Sequence, residues 1–352
     1  MPAVVVGPFE GIGVLGAGTA FPPESYDNAR ALGCLPPEAH RGRTPDAEEL
    51  AFLAAGATEQ MGVVHRAWSH RVGSPLDPAT EPSSFDLGLG AARAALAQAL
   101  VPAGALSLVV TATSTPHRMT STLAAPLGAA LGAQAACFDV RTGCAAGLFG
   151  LATVGALQAS GAGPAVLVGA ETFSKIVPPV SKAAALSLGD GGGALVLGKV
   201  QGAAVLSVSL ETDGNLAGLV TTDGALPPTA AELSRGGYLL TGSAEQLRAE
   251  VLPRYQKAIE GALRHAGLTA KDIDLFVPHQ TSVALIEEVC ARVGLERSKA
   301  FINVPRHANV GAAGWLVALA EARAEGRVRP GMRVLLAAVG GGMSWAAAVL
   351  RT

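Results

Sequence analysis

Aromatic residues make up only 4% of this 352-residue chain, and charged residues only 15%. With so few rings there is no platform on which nucleic-acid bases could stack. A formal net charge of -2, with no Lys/Arg run, removes the basic surface that grips a phosphate backbone, so no nucleic-acid partner is expected. Cysteine is rare as well. Cys34, Cys137, Cys144 and Cys290 form no CxxC pair and have no histidine at ligand spacing, which argues against a disulfide scaffold and against structural zinc. The seven histidines are dispersed, so no metal centre is expected. MPAVVVGPFE, at the start, lacks a basic segment followed by a long apolar run, and no signal peptide is read there. The stretch from Cys144 to Ala170 carries no charge, yet SGAGP (160–164) divides it into a Gly/Ala-rich part and a strand-like AVLVGA. Two buried elements of a soluble core fit it better than a membrane helix. A cytoplasmic protein without membrane contact is expected.

What is present is apolar surface: 49% of residues are hydrophobic, enough for a large core in one large domain or two. GIGVLGAGTA (11–20) reads as a strand entering a Gly-rich turn. Residues 20–85 are polar and proline-spotted, an elaborated surface region with an amphipathic helix around 46–61. A helix follows over 86–100, with Asp86 placed to cap it. From there the same order of elements runs twice. The first pass is a strand at 106–113, a helix near 120–131, a strand at 137–140, a helix at 144–158 and a strand at 165–170. The second is a strand at 274–278, a helix over 281–293, a strand at 300–304, a helix near 312–324 and a strand at 333–339. Strand–helix alternation with uninterrupted apolar strands predicts an α/β protein whose mainly parallel sheets are buried on both faces. The halves are expected at 1–200 and 201–352.

Three polar residues fall at carboxyl ends of strands or in the loops beyond them, where open α/β sheets gather their chemistry: Cys144, His279 and Asn309. Cys144 is read as opening a helix, whose positive end would lower the thiol pKa and offer a backbone amide to an oxyanion. Standing alone, a cysteine before AAGLFGL is more often a small buried hydrophobe, His279 a strand-end histidine and Asn309 a turn residue. Their equivalent placement in the two passes raises all three. The glycine clusters GDGGGALVLG (189–198) and VGGGMSW (339–345) lack dinucleotide-binding spacing, and for 189–193 tight packing is the better reading. No GxSxG or HExxH motif occurs. His117 and His307 are read as loop residues without partners.

FDVRTGCAAG, GDGGGALVLG, VPHQ, HANVGAAG and GGGMSW, in that order, resemble the ketoacyl-acyl-carrier-protein synthase III family of the thiolase superfamily. The resemblance covers residue 105 to the C-terminus and the first strand. It implies a thiolase fold of two similar βαβαβ-type halves layered α-β-α-β-α, acting as a homodimer on acyl-CoA or acyl carrier protein with no cofactor. By position, Cys144 would accept the acyl group, and His279 and Asn309 would hydrogen-bond the enolate of a malonyl thioester. The amides of Cys144 and Gly341 would form the oxyanion hole, and Met119 would close the partner's acyl pocket. The chain departs from the family's coenzyme A site, where Gly56 and Gln60 replace a Trp and an Arg and Lys182 stands as a second basic residue. Ala284 replaces the carrier-docking basic residue, a role open to Arg248, Arg254 or Lys257. These departures suggest a specialised-metabolite enzyme. Decarboxylative condensation is the first expectation; plain acyl transfer to a thiol, amine or hydroxyl is the second, and a catalytically silent partner subunit the third.

Overall fold

The computed structural model describes residues 3–77, 79–225 and 227–352. Its strands show directly why the molecule is layered. Along Leu108–Ala112, Leu108 and Val110 face one hydrophobic cluster and Val109 another. Along Ala165–Thr172, Leu167 and Val166 divide the same way. In Arg333–Gly340, Leu336 and Ala338 join the first cluster while Leu335 and Ala337 join a third. Side chains alternate across a pleated strand, so a strand apolar at every position must be covered on both faces.

The covers are helices. Ser84–Ala99 and Ala124–Leu131 lie on the outer face of one set of strands, and Ala244–His265 and Val283–Val293 on the outer face of the other. Between the sets lie Ala146–Ala159 and Gly314–Ala324, which are apolar nearly all round and bury Leu148, Leu151, Trp315 and Leu316. A helix without a polar face must be enclosed. The result is the expected α-β-α-β-α stack.

The strands form one continuous sheet because Asp190–Thr212 belongs to both sets. Its first part pairs with Ala165–Thr172 and its last part with Ser344–Arg351, both antiparallel. Residue 200, the expected boundary between halves, therefore lies inside a strand. Parallel pairs join Leu108–Ala112 to Ala136–Val140 and to Ala165–Thr172, and Leu275–Pro278 to Arg333–Gly340. Among the described residues no helix is long and apolar enough to cross a membrane, and all four cysteines are free.

Three expectations need correction. The strand read at 300–304 is reduced to a single bridge between Phe276 and Ala300, followed by a short helix, Val304–His307. The reason is Gln280, 1% exposed, whose Oε1 accepts from the amides of Asn303 and Val304 while its Nε2 donates to Pro278 and Phe301. A side chain thus takes the place of a neighbouring strand. The helix read at 86–100 starts at Ser84, and its cap is Ser83, with Asp86 closing a reciprocal capping box. Residues 20–85 are also more than surface. Tyr26, Leu32 and Trp68 build a core with Phe173 and Leu188, and the fully buried Arg66 donates to the carbonyls of Tyr26 and Leu186.

Gln280 bonds four buried backbone groups at once. Gln280→Met is therefore expected to destabilise the protein by about 2–4 kcal/mol, read as a lower urea midpoint with an unchanged slope.

Candidate active site

Cys144 follows the strand Ala136–Val140 by four residues and precedes the helix Ala146–Ala159. It stands two residues ahead of the first helical position rather than opening the helix. The turn it occupies packs backbone to backbone against the turn after Arg333–Gly340. A Cβ on Gly340 would lie 2.6 Å from the Cys144 amide nitrogen, and a Cβ on Gly143 would lie 3.1 Å from the Gly341 nitrogen. Only glycine allows this approach, and it brings the amides of Cys144 and Gly341 to one place.

The thiol is deep but not sealed, since part of Cys144 remains open to solvent. Burial, and then the negative charge of Glu171, push its pKa up to about 12, with a backbone hydrogen bond opposing. The lowered thiol pKa expected from the helix end is thus overturned: desolvation and a like charge outweigh the dipole, whose first turn begins beyond the sulfur.

His279 comes directly after Leu275–Pro278, and its amide donates to Ala337 at 2.7 Å. The residue is 1% exposed, neither ring nitrogen has a hydrogen-bond partner among the described residues, and burial lowers its pKa to about 4. Its Nδ1 packs on the start of the helix Gly314–Ala324, where a Cβ on Gly314 would lie 2.6 Å away. That placement also disfavours the imidazolium. The ring is neutral at pH 7.

Asn309 is held from both sides. Its amide donates to Ser187 at 2.9 Å, its carbonyl accepts from Gly189 at 3.0 Å, and its Oδ1 accepts from the Gly311 amide at 2.9 Å. With Oδ1 occupied, Nδ2 is the end of the carboxamide free to donate. Ala308, just before it, has φ 55° and ψ -158°, a region costly for any residue with a Cβ.

One loop links these side chains. Residues 309–314 begin at Asn309, hydrogen-bond Glu171 through the Ala312 amide at 3.3 Å, and end against His279 at Gly314. Glu171 in turn faces Cys144 electrostatically. The cleft of about 460 Å³ lined by Ile12, Leu151, Leu197 and Arg323 is elsewhere, at the opposite end of the sheets.

The sequence aligns with known proteins over this machinery. Residues 138–214 match the family model for 3-oxoacyl-[acyl-carrier-protein] synthase III, and residues 263–352 match the model for its C-terminal part. A β-ketoacyl-[acyl-carrier-protein] synthase III from Rhodospirillum rubrum is 34% identical over 314 residues, covering 87% of this chain and 93% of its own. The chain belongs to the 3-oxoacyl-[acyl-carrier-protein] synthase III family. The β-ketoacyl-[acyl-carrier-protein] synthase III (FabH) of Thermus thermophilus superposes with a TM-score of 0.80 at 29% identity, over 97% of this chain and 99% of its own. The priming β-ketosynthase of the R1128 polyketide pathway superposes with a TM-score of 0.81 at 23% identity, covering 97% and 96%, a likeness of fold alone.

Other positions read from the family resemblance lie further out. Lys182 begins the short helix Lys182–Ser187, whose far end carries the Ser187 carbonyl on Asn309, roughly 8 Å along the axis. Met119 is 66% exposed. Gly56 and Gln60 lie on the helix Ala47–Met61, Gln60 exposed, and Ala284 is exposed on Val283–Val293. Two of the basic residues suggested for docking are already engaged. Arg254 pairs with Glu250 and Asp213 and lies 5.0 Å from the Trp345 ring, and Lys257 pairs with Glu211. Arg248 is exposed and has no ion pair among the described residues.

His307 is no idle loop residue. Its ring stacks on Phe21 at 4.2 Å, and its Nε2 lies 2.6 Å from Glu321. Burial raises the Glu321 carboxyl, but bonds from His307 and Asn303 outweigh it, leaving the pKa lowered. The residue missed altogether is Glu171. Its one sequence signal is a lone acid at the end of a strand, AVLVGAET, that is otherwise apolar.

His279 makes stability pH-dependent in a defined direction. Its folded pKa, about 4, lies below its ordinary 6.5, so the unfolded chain takes the proton first as pH falls. Its contribution is complete above pH 6.5 and is lost between 6.5 and 4, at up to about 1.4 kcal/mol per pH unit. Urea midpoints measured across that window should fall in the native protein and flatten in His279→Gln.

Proposed function

We propose that the chain condenses an acyl group held on Cys144 with a malonyl-derived enolate, with Cys144, His279 and Asn309 carrying the reaction. The observation that carries this reading is the 309–314 loop, which links Asn309, the Glu171 that faces Cys144, and His279. As a member of its family the chain is an acyl-transferring condensing enzyme.

In the loading step the Cys144 sulfur bonds to the carbonyl carbon of an acyl-CoA or acyl-carrier-protein thioester. The donor's carbon–sulfur bond breaks, and the donor sulfur leaves with the proton that Cys144 gives up. The amides of Cys144 and Gly341 face the oxyanion of the tetrahedral intermediate. A malonyl thioester then enters and loses carbon dioxide, and the electron pair of the broken bond becomes an enolate. Its oxygen accepts from Asn309 Nδ2 and from the Nε2–H of His279, which stays available as a neutral donor. The enolate carbon attacks the acyl carbonyl, the bond to Cys144 breaks, and the sulfur regains a proton. No step requires a cofactor. Because enolate charge develops only as carbon dioxide leaves, fixed neutral donors serve the transition state better than the ground state.

A homodimer fits the outer edge of the sheet. Ala136–Val140 ends the strand order with one edge unpaired, and such an edge calls for a cover. Met119, exposed in one subunit, would close the acyl pocket of the other, and Lys182 would lie on the approach of coenzyme A. The exposed Ala284 and Gln60, the half-buried Gly56 and the engaged Arg254 and Lys257 leave little of a housekeeping donor site, which supports a specialised-metabolite role. We place the enzyme in the cytoplasm.

Incubation with acyl-CoA and malonyl-carrier protein tests the reading. An acyl adduct on Cys144 by intact mass, carbon dioxide release and a ketoacyl product are expected, and Asn309→Ala should lower carbon dioxide release on the order of 10²–10³-fold while leaving the adduct. An unchanged acyl chain on a new acceptor would overturn condensation. Gly314→Ala adds a methyl against the His279 ring and should cost about 10²-fold in turnover with little change in adduct formation, measured in the same assay.

A further inference from the structure

Glu171 is a fully buried carboxylate to which the reaction above assigns nothing. Five donors from two loops converge on it. Ser114 donates its amide at 2.9 Å and Thr115 its amide at 3.0 Å; the hydroxyls of Thr115 and Thr113 lie at 2.6 and 3.3 Å, and the Ala312 amide at 3.3 Å. Thr115 Oγ1 also accepts from the Thr172 amide, which fastens the first loop to the strand carrying Glu171. No cation pairs with it among the described residues. Burial holds its carboxyl above the usual range, against these bonds, which lower it. Asp190, the other deeply buried acid nearby, differs: it accepts from the Ser69 and Ser174 amides and the Ser174 hydroxyl and serves packing.

We propose that Glu171 is a positioning residue: its carboxylate ties the loop carrying Asn309 to the loop leading to Met119 and so fixes where the Asn309 carboxamide sits. The proposal takes Cys144 as the acyl acceptor and Asn309 as a donor to the enolate.

Two variants test the tie. Glu171→Asp shortens the arm to the Ala312 amide, and Glu171→Gln sets a donor among donors. In each full-length protein carbon dioxide release is compared with Cys144 acylation, and amide hydrogen exchange over 309–314 is followed by peptide mass. Both variants should exchange 309–314 about tenfold faster and lose about tenfold in carbon dioxide release relative to acylation. Native values of both quantities in either folded variant overturn the proposal. Should neither fold by circular dichroism, Thr115→Val, which removes one donor to the carboxylate, is read the same way. A native protein that takes no acyl group on Cys144 rejects the functional reading instead, and the exchange rates still decide the role of Glu171.

Discussion

Two helices without a polar face govern this structure. Ala146–Ala159 and Gly314–Ala324 can be stable only with sheet on both sides, which puts both in the middle layer. Their first turns touch: a Cβ on Gly147 would lie 2.6 Å from Trp315 Nε1. The segments leading into those turns are therefore forced together, one carrying Cys144 and the other Asn309. The site is a by-product of burying two apolar cylinders side by side. Its position needs no attraction between the reactive side chains.

That origin explains why the site is poor in charge. Cys144 rests with its proton, His279 is neutral, and Asn309 has no charge to give; Glu171, the acid beside them, is buried and wrapped in donors. In a middle layer this dry, an ion pair of thiolate and imidazolium would need both desolvation penalties repaid by one contact, which burial rarely allows. Dipoles fixed by the backbone cost nothing to bury once their own partners are met. The candidate site is therefore lined by amides: those of Cys144 and Gly341 at one turn, and the carboxamide of Asn309 oriented by the Gly311 amide.

Much of this was legible in the sequence because it rests on strand and helix periods. Uninterrupted apolar runs such as SLVV and VLLAAV could only be doubly covered strands, and Cys144, His279 and Asn309 stood at the ends or loops where such strands place function. The expectation failed where one side chain outvoted a local pattern. AFINV has strand composition, yet Gln280, twenty residues earlier, supplies the hydrogen bonds a neighbouring strand would have supplied. The thiol pKa failed for a related reason: a helix end is visible in sequence, whereas the depth of the sulfur and the charge of Glu171 belong to the assembled layers. His307 looked partnerless because Phe21 and Glu321 lie far from it in the chain.

The elaborated region 20–85 has a further consequence for Asn309. Trp68 donates to the carbonyl of Leu188, and Arg66 donates to that of Leu186. The intervening Ser187 carbonyl receives the Asn309 amide, and Gly189 donates back to the Asn309 carbonyl. The segment 186–189 is thus gripped by the added region on one side and grips Asn309 on the other. This grip holds Ala308 in a backbone region that a free loop would abandon, since strain persists only where the surroundings over-determine it. The added region therefore helps to fix the backbone that carries the carboxamide. Changes in region 20–85 therefore reach Asn309 through two peptide hydrogen bonds.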